Sequence, residues 1–472
     1  MAAVLLGVSA CLAALPAGAV APVPAAPATR TAPSPTAPSP TTPVIDEEFA
    51  DPDVVAVGGV FHAYATNAHG RNIQHATSTD LVRWTVDATD VLPDVGAWVT
   101  LDPPGRVWAP EVFDNGDGFT LLYTARDRAG GRQCVGAALA SSPDGPFRPV
   151  GEGPLVCPTE DGGAIDASVH TENGTRNLLW KSDGNCCLKD TWIHLQPVSW
   201  DGTRVTGEPV RLIKQDRAWE DRVVEAPTLV RRNGRYVLLY SAGDYRYDGY
   251  ATGWATADSI TGPYVKGDLP LLTTLSFSGA IAGPGGQDVV TGPGGQDRIL
   301  FHGRGADRSR RMLYVADLGF ADGRPVVRGS KARHEAELAR VHRATVRQAR
   351  DAWGDRAVGH IDEPDSSVEF RVFAASPGPH TLSVRYGNGS LDAAGAPAAA
   401  THRLTVNGAD AGAVARTPAG TSGGRARSRW SCGRDGTPSA SRRGSATRSW
   451  TPWRWRRSAT SGRRRPGPPS RP

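Results

Sequence analysis

Short apolar runs recur along this chain at an almost constant interval. Five times a turn ending in glycine (Gly59, Gly118, Gly174, Gly234, Gly295) opens onto an apolar run that reaches an aromatic residue: Tyr64, Tyr123, Trp180, Tyr240 and Phe301. Successive aromatics lie 59, 57, 60 and 61 residues apart. The turns are Gly-Gly, Asp-Gly or Asn-Gly, dipeptides that tolerate the left-handed backbone of a tight hairpin. Such a period is the mark of four-stranded sheets arranged radially about an axis. The pattern predicts a five-bladed β-propeller over residues 44–330.

Past Lys331 the period changes. Glu335 to Glu337, Gly359 to Asp362, Val368 to Val372 and His380 to Tyr386 alternate as short strands, and Arg403 to Val406 runs into an Asn407-Gly408 hairpin turn. This predicts a jelly-roll-like β-sandwich over residues 331–420, incomplete at its end. It resembles the carbohydrate-binding modules that follow glycosidases, and a structural cap on the propeller is the other reading. The fold class is therefore all-β: a five-bladed β-propeller followed by a partial β-sandwich.

A chain of 472 residues exceeds a single core, which agrees with this division. Residues 1–21 carry an apolar run ending in small residues, read as a secretory signal, and 22–43 are a Pro/Ala/Thr/Ser linker. Val8-Ser9-Ala10-Cys11 resembles a lipoprotein cleavage box, an alternative to simple release. The expected location is extracellular. Cys134, Cys157, Cys186 and Cys187 then lie in an oxidising compartment and allow three pairings, of which Cys134 with Cys157 would staple the second blade. The adjacent Cys186 and Cys187 lack the spacing of a zinc site.

The net charge of +5 hides an asymmetry: residues 421–472 hold 14 Arg against one Asp, a net +13, leaving −8 for the rest. Arginine with Trp430, Trp450, Trp453 and Trp455 would suit a nucleic-acid arm. The segment has no Leu, Ile, Val, Phe, Tyr or Met, however, and reads instead as a disordered tail with no nucleic-acid partner. Read out of frame in G/C-rich codons, Ala446 to Arg457 gives alternating apolar and polar residues, so a frameshift near residues 415–425 is the expected origin of this tail.

Candidate chemistry stands at the blade starts. Asp51, Asp166 and Glu225 precede the first, third and fourth aromatics by 13, 14 and 15 residues, and Glu111 is read in the same phase. Matching phase in different blades means matching position around one axis, so the three acids are expected to converge on the central channel.

The stretch from 44 to 328 resembles glycoside hydrolase family 43 through Phe49-Ala50-Asp51-Pro52-Asp53, Trp108-Ala109-Pro110-Glu111, Gly163-Ala164-Ile165-Asp166-Ala167-Ser168, Val224-Glu225-Ala226-Pro227 and Phe301-His302-Gly303. The resemblance implies that Asp51 is the general base, Glu225 the general acid, and Asp166 the residue that orients the acid and adjusts its pKa. Inversion needs such a pair roughly 6.5–9.5 Å apart with room for a water. An apolar setting beside Ala226-Pro227 is expected to raise the pKa of Glu225. Trp108, His302 and Arg304 are the expected substrate contacts, with His302 holding a water or a metal-bound water. Asp53 and Glu111 read as scaffold, and Arg308, Arg310 and Arg311 as surface charges. No cofactor is required, and a structural calcium ion is admissible.

The expected activity is that of an exported inverting glycosidase on arabinose- or xylose-containing polysaccharide or oligosaccharide, an α-L-arabinofuranosidase or exo-arabinanase first. A β-xylosidase and a non-catalytic sugar-binding propeller are the alternatives. A monomer without membrane association after export is expected.

Overall fold

The computed structural model describes residues 39–102, 106–321, 324–331, 334–349, 352, 356–372, 378–416, 419–432 and 451–457. The expected signal, Cys11 and all of the linker before residue 39 lie outside the described residues, as do 433–450 and 458–472 of the expected tail.

Twenty strands form five antiparallel four-stranded meanders among the described residues. Blade 1 comprises β1 (Asp53–Val57), β2 (Val60–Ala65), β3 (Gln74–Ser78) and β4 (Thr85–Val86). Blade 2 follows with β5 (Trp108–Asp114), β6 (Phe119–Arg126), β7 (Gln133–Ala140) and β8 (Arg148–Val150), and blade 3 with β9 (Ala164–Glu172), β10 (Thr175–Ser182), β11 (Trp192–Val198) and β12 (Val210–Lys214). Blade 4 holds β13 (Val224–Arg232), β14 (Arg235–Ala242), β15 (Ala251–Ala257) and β16 (Val265–Lys266); blade 5 holds β17 (Ala282–Thr291), β18 (Asp297–Arg304), β19 (Arg311–Ala321) and β20 (Arg324–Val327). The Asn173-Gly174 and Asn233-Gly234 hairpins have both central residues at positive φ, the two-residue turn that matches strand twist.

The ring closes because each pair of neighbouring blades has its own core. Tyr64, Ile73, Tyr123 and Phe147 fill the gap between blades 1 and 2, and Leu122, Val135, Leu178 and Trp180 that between 2 and 3. Leu179, Ile193, Leu229 and Tyr240 join blades 3 and 4, Val237, Leu239, Phe301 and Tyr314 join 4 and 5, and Val54, Phe61, Leu300 and Leu313 join 5 and 1. All five spaced aromatics are buried in second strands. The segment before β1 locks the closure: Val44 N–H donates to Leu313 O at 2.8 Å and Phe49 N–H to Arg311 O at 2.8 Å, along the edge of β19.

Beyond the propeller a five-stranded sheet runs Arg340–His342, Ser367–Val372, Thr451–Arg457, Ala400–Val406, Ala409–Arg416, with two separate strand pairs beside it. Asn407 and Gly408 both take positive φ in the hairpin expected there. Its buried core is small, centred on Val368, Leu404 and Val414. Two strands, Ala419–Cys432 and Thr451–Arg457, fall within or reach into the stretch read above as a tail. Of the three pairings open to the cysteines, the structure joins Cys134 to Cys157 and Cys186 to its neighbour Cys187.

Candidate active site

The inner strand of every blade is kinked at one register position. Asp51, Ala109, Asp166, Ala226 and Gly286 all have φ between 44° and 55°. In blades 2 to 5 the ladder shifts there: Trp108 pairs with Thr124 and Glu111 with Leu122, for example, so two residues stand opposite one. Such bulges re-aim a side chain. Proline, which has no N–H for the ladder, suits the next position and occupies it as Pro52, Pro110 and Pro227.

This register corrects the phase read from the sequence. Asp51 and Asp166 share the kink, whereas Glu225 stands one residue before it, where blade 2 has Trp108. Glu111 is two residues past the kink and belongs to a second ring with Asp53, Ser168, Thr228 and Asp288. A bulge adds a residue that periodicity cannot reveal.

Opposite the kinks, the ends of the second strands supply Thr66, Thr124, Lys181, Ser241 and His302. Four of them accept the N–H of the next blade's kink residue: Thr66 from Ala109 (3.1 Å), Thr124 from Asp166 (3.3 Å), Ser241 from Gly286 (2.8 Å) and His302 Nδ1 from Asp51 (3.1 Å). Lysine has no acceptor. In blade 3 the Asp166 carboxylate therefore takes the Ala226 N–H instead, at 3.0 Å. The Lys181 ammonium, its side chain 1% exposed, is left to face Glu225 Oε2 at 3.2 Å and Asp183 Oδ1 at 3.3 Å.

Asp51 faces a hydroxyl donor, a guanidinium and an imidazole. Thr66 Oγ1 donates to its Oδ2 at 2.7 Å, Arg311 reaches the same oxygen at 3.4 Å, and His302 Nδ1 lies 3.2 Å from Oδ1. Burial works to raise its pKa, but Arg311 and Thr66 hold it well below the usual carboxylate range. Gly286 makes the approach possible, since a Cβ there would come within 2.5 Å of His302 Nδ1 and 2.8 Å of Asp51 Oδ1.

Asp166 has the opposite setting. Burial raises its pKa first, the Glu225 charge raises it further, Lys181 opposes, and the result is about 8. Glu225 is not in the apolar setting expected beside Ala226-Pro227: Lys181 holds one oxygen and the Tyr250 hydroxyl donates to the other at 2.8 Å. The Tyr250 ring stacks on His302, centroids 5.8 Å apart, so a continuous set of contacts runs from Asp51 through His302 and Tyr250 to Glu225 and Lys181. The three acids thus converge, and Asp166 feels the charges of both others.

Trp108 is half-buried at the register position equivalent to Glu225. Arg304 is committed elsewhere, donating to Arg246 O at 2.6 Å and Asp248 Oδ1 at 3.0 Å. Arg311, read as a surface charge, is instead the cation of Asp51. Lys181 and Tyr250 were also missed; a lysine inside an apolar run, one of five in the chain, was the available signal for the first. His302 Nε2 is buried without a partner, which suits a water. Among the described residues His302 belongs to no cluster of three His, Cys, Asp or Glu groups at ligand spacing. One imidazole does not make a calcium coordination sphere, which needs six to eight oxygens.

The chain is similar to several known proteins. A β-D-galactofuranosidase of Aspergillus niger is 27% identical over 270 residues, covering 52% of this chain and 73% of its own length. An α-L-arabinofuranosidase of Humicola insolens is 28% identical over 219 residues, 43% of each chain. An extracellular exo-α-(1→5)-L-arabinofuranosidase of Streptomyces chartreusis is 27% identical over 183 residues, 37% of this chain and 55% of its own. The chain thus spans about half the length of two of these relatives. The crystal structure of a thermostable family-43 glycoside hydrolase superposes with a TM-score of 0.54 at 28% identity, covering 61% of this chain and 95% of that one. The family model of glycosyl hydrolases family 43 matches residues 40–325, all of the propeller up to its last strand and more than half of the chain. The chain belongs to family 43 of the glycosyl hydrolases.

Proposed function

We propose that this protein hydrolyses glycosidic bonds in arabinose- or xylose-containing plant cell-wall polysaccharide with inversion of configuration, as an α-L-arabinofuranosidase or exo-arabinanase. Asp51, kept ionised by Arg311 and Thr66, is the general base that takes a proton from the attacking water. Glu225 is the general acid that delivers a proton to the leaving oxygen, and Asp166 beside it, raised to about 8 by burial and the Glu225 charge, stays protonated at neutral pH. Asp166 positions Glu225 by gripping the N–H of the following residue, Ala226. Trp108 offers an apolar face to the sugar.

One observation carries the reading: a single channel holds one carboxylate driven towards ionisation, Asp51, and one driven towards protonation, Asp166, which grips the residue after Glu225. That is the division of labour two-carboxylate glycoside hydrolysis requires. The arabinofuranosidases among the relatives favour arabinose, and a putatively named β-xylosidase relative of Xylanibacter ruminicola keeps xylose as the second reading. Export by the apolar leader and action as a single chain belong to the same proposal. Among the described residues no helix is long and apolar enough to cross a membrane. Initial rates on aryl α-L-arabinofuranoside, aryl β-D-xyloside and linear arabinan, with Asp51→Asn as blank, test the assignment. Arabinosides should be cleaved fastest; turnover confined to the xyloside would replace the first reading by the second.

A further inference from the structure

We infer that blade 1 carries a zinc-type divalent cation site built from His62, His75 and Asp144, on the outer side of the propeller and separate from the acids of the channel. His62 lies on β2 and His75 on β3; Tyr64 pairs with His75 and His62 with Thr77, so the two histidines are diagonal neighbours on one sheet face. Their rings are nearly parallel, with centroids 5.3 Å apart. His62 Nδ1 lies 3.1 Å from His75 Nε2 and 3.4 Å from Asp144 Oδ1, and all three ligand atoms fall within 4.8 Å of one another.

The two separations from His62 are close to those of a metal site, and the His75–Asp144 separation, within 4.8 Å, shortens on binding. With zinc to nitrogen or oxygen distances of about 2.0–2.2 Å, the edges of a tetrahedron are about 3.3–3.6 Å. A turn of the His62 ring about its soft terminal torsion aims both nitrogen lone pairs at one point. The N₂O donor set suits zinc or a similar borderline cation and leaves a fourth position for water. Behind the cluster, His75 Nδ1 sits 2.6 Å from Asp87 Oδ2. That carboxylate holds the Nδ1 proton and leaves Nε2 bare towards His62, the outer-shell arrangement that orients histidine ligands of zinc.

The third ligand is held in place rather than swinging free. Tyr64 Oη, whose ring stacks on His75, donates to Pro143 O at 2.6 Å, and Ser142 Oγ donates to Asp144 Oδ2 at 3.1 Å. Both imidazoles are buried, 6% and 0% exposed, while the Asp144 side chain is 61% exposed. The ion enters from solvent on the Asp144 side and straps the middle strands of blade 1 to the β7–β8 connection of blade 2.

The test is zinc titration of tag-free, chelator-stripped full-length protein by calorimetry, with cobalt(II) as a spectroscopic probe of geometry. About one zinc per chain is expected, with a raised melting temperature and the strong visible absorption of tetrahedral cobalt. His62→Gln should abolish binding, and Asp144→Asn and Asp87→Asn, both at accessible carboxylates, should weaken it about 10–100-fold. All three should keep wild-type hydrolytic rates, which reports that they fold. Failure of the folded wild type to bind zinc, or equal affinity in folded His62→Gln, would overturn the site and leave a plain histidine–histidine hydrogen bond.

Discussion

The two carboxyl environments of the channel differ through a handful of side chains, and each makes a separate pH prediction. Asp51 must be ionised to act as base, so Arg311→Gln, which removes a cation that lowers its pKa, should move the acidic limb of kcat/KM to higher pH. Asp166 must keep its proton, so activity should fall as pH rises through about 8. Lys181 opposes that retention, and Lys181→Met should shift the alkaline limb upward while lowering the maximum rate. A pH–rate profile of each variant checks both; limbs that do not move would remove these residues from the account. The acids themselves were legible because Asp51, Asp166 and Glu225 sit in short recognisable fragments. Their partners were not: Arg311 lies 260 residues from Asp51, and Lys181 is 44 from Glu225. Ring closure, not local spacing, brings them together.

The inner strands carry a second acidic ring that the proposed chemistry does not use. Asp53 accepts the Val112 N–H at 2.8 Å, Glu111 that of Val169 at 2.7 Å, and Asp288 that of Val54 at 2.9 Å, each clasping the next blade. Burial and mutual repulsion raise the pKa of Asp53 and Glu111 well above the ordinary range, and burial raises Asp288 to about 6. Folded pKa values above the unfolded ones mean that the folded state binds more protons. Stability contributed by this ring is then largest near the ordinary carboxylate range and falls as pH rises through 6 and beyond. Melting temperature should decline from pH 5 to 8, and Glu111→Gln, which keeps an acceptor for Val169 and removes one charge, should flatten the decline. An unchanged slope in that variant would refute the coupling. At the kink of blade 5, Gly286→Ala would push a Cβ against His302 and Asp51. Turnover should fall by about tenfold or more, since small displacements of reacting groups are costly. Hairpin turns and buried aromatics made these strands readable from sequence. The bulges did not show, and they displaced Glu225 and Glu111 from the phase assigned to them.

At the scale of the molecule, five interblade cores and the clasp of residues 44–49 on β19 make the propeller self-sufficient. The C-terminal sheet rests on a much smaller core. A fragment spanning 40–330 should therefore fold and cleave a soluble aryl glycoside within a few-fold of the full chain, whatever the remainder does on polysaccharide. The five-fold period was visible in the sequence because every blade repeats one buried aromatic. The sandwich was less so, its strands being short and drawn from distant stretches. The most direct test of the central claim is a leaving-group series on Asp51→Asn and Glu225→Gln, with turnover measured on aryl glycosides of rising leaving-group pKa. Both should lose roughly 10²–10⁴-fold on poor leaving groups. Glu225→Gln should recover as the leaving group improves, because departure then needs no proton, while Asp51→Asn should stay slow throughout. Parallel losses across the series, or wild-type rates in either variant, would contradict the division of acid and base around the channel.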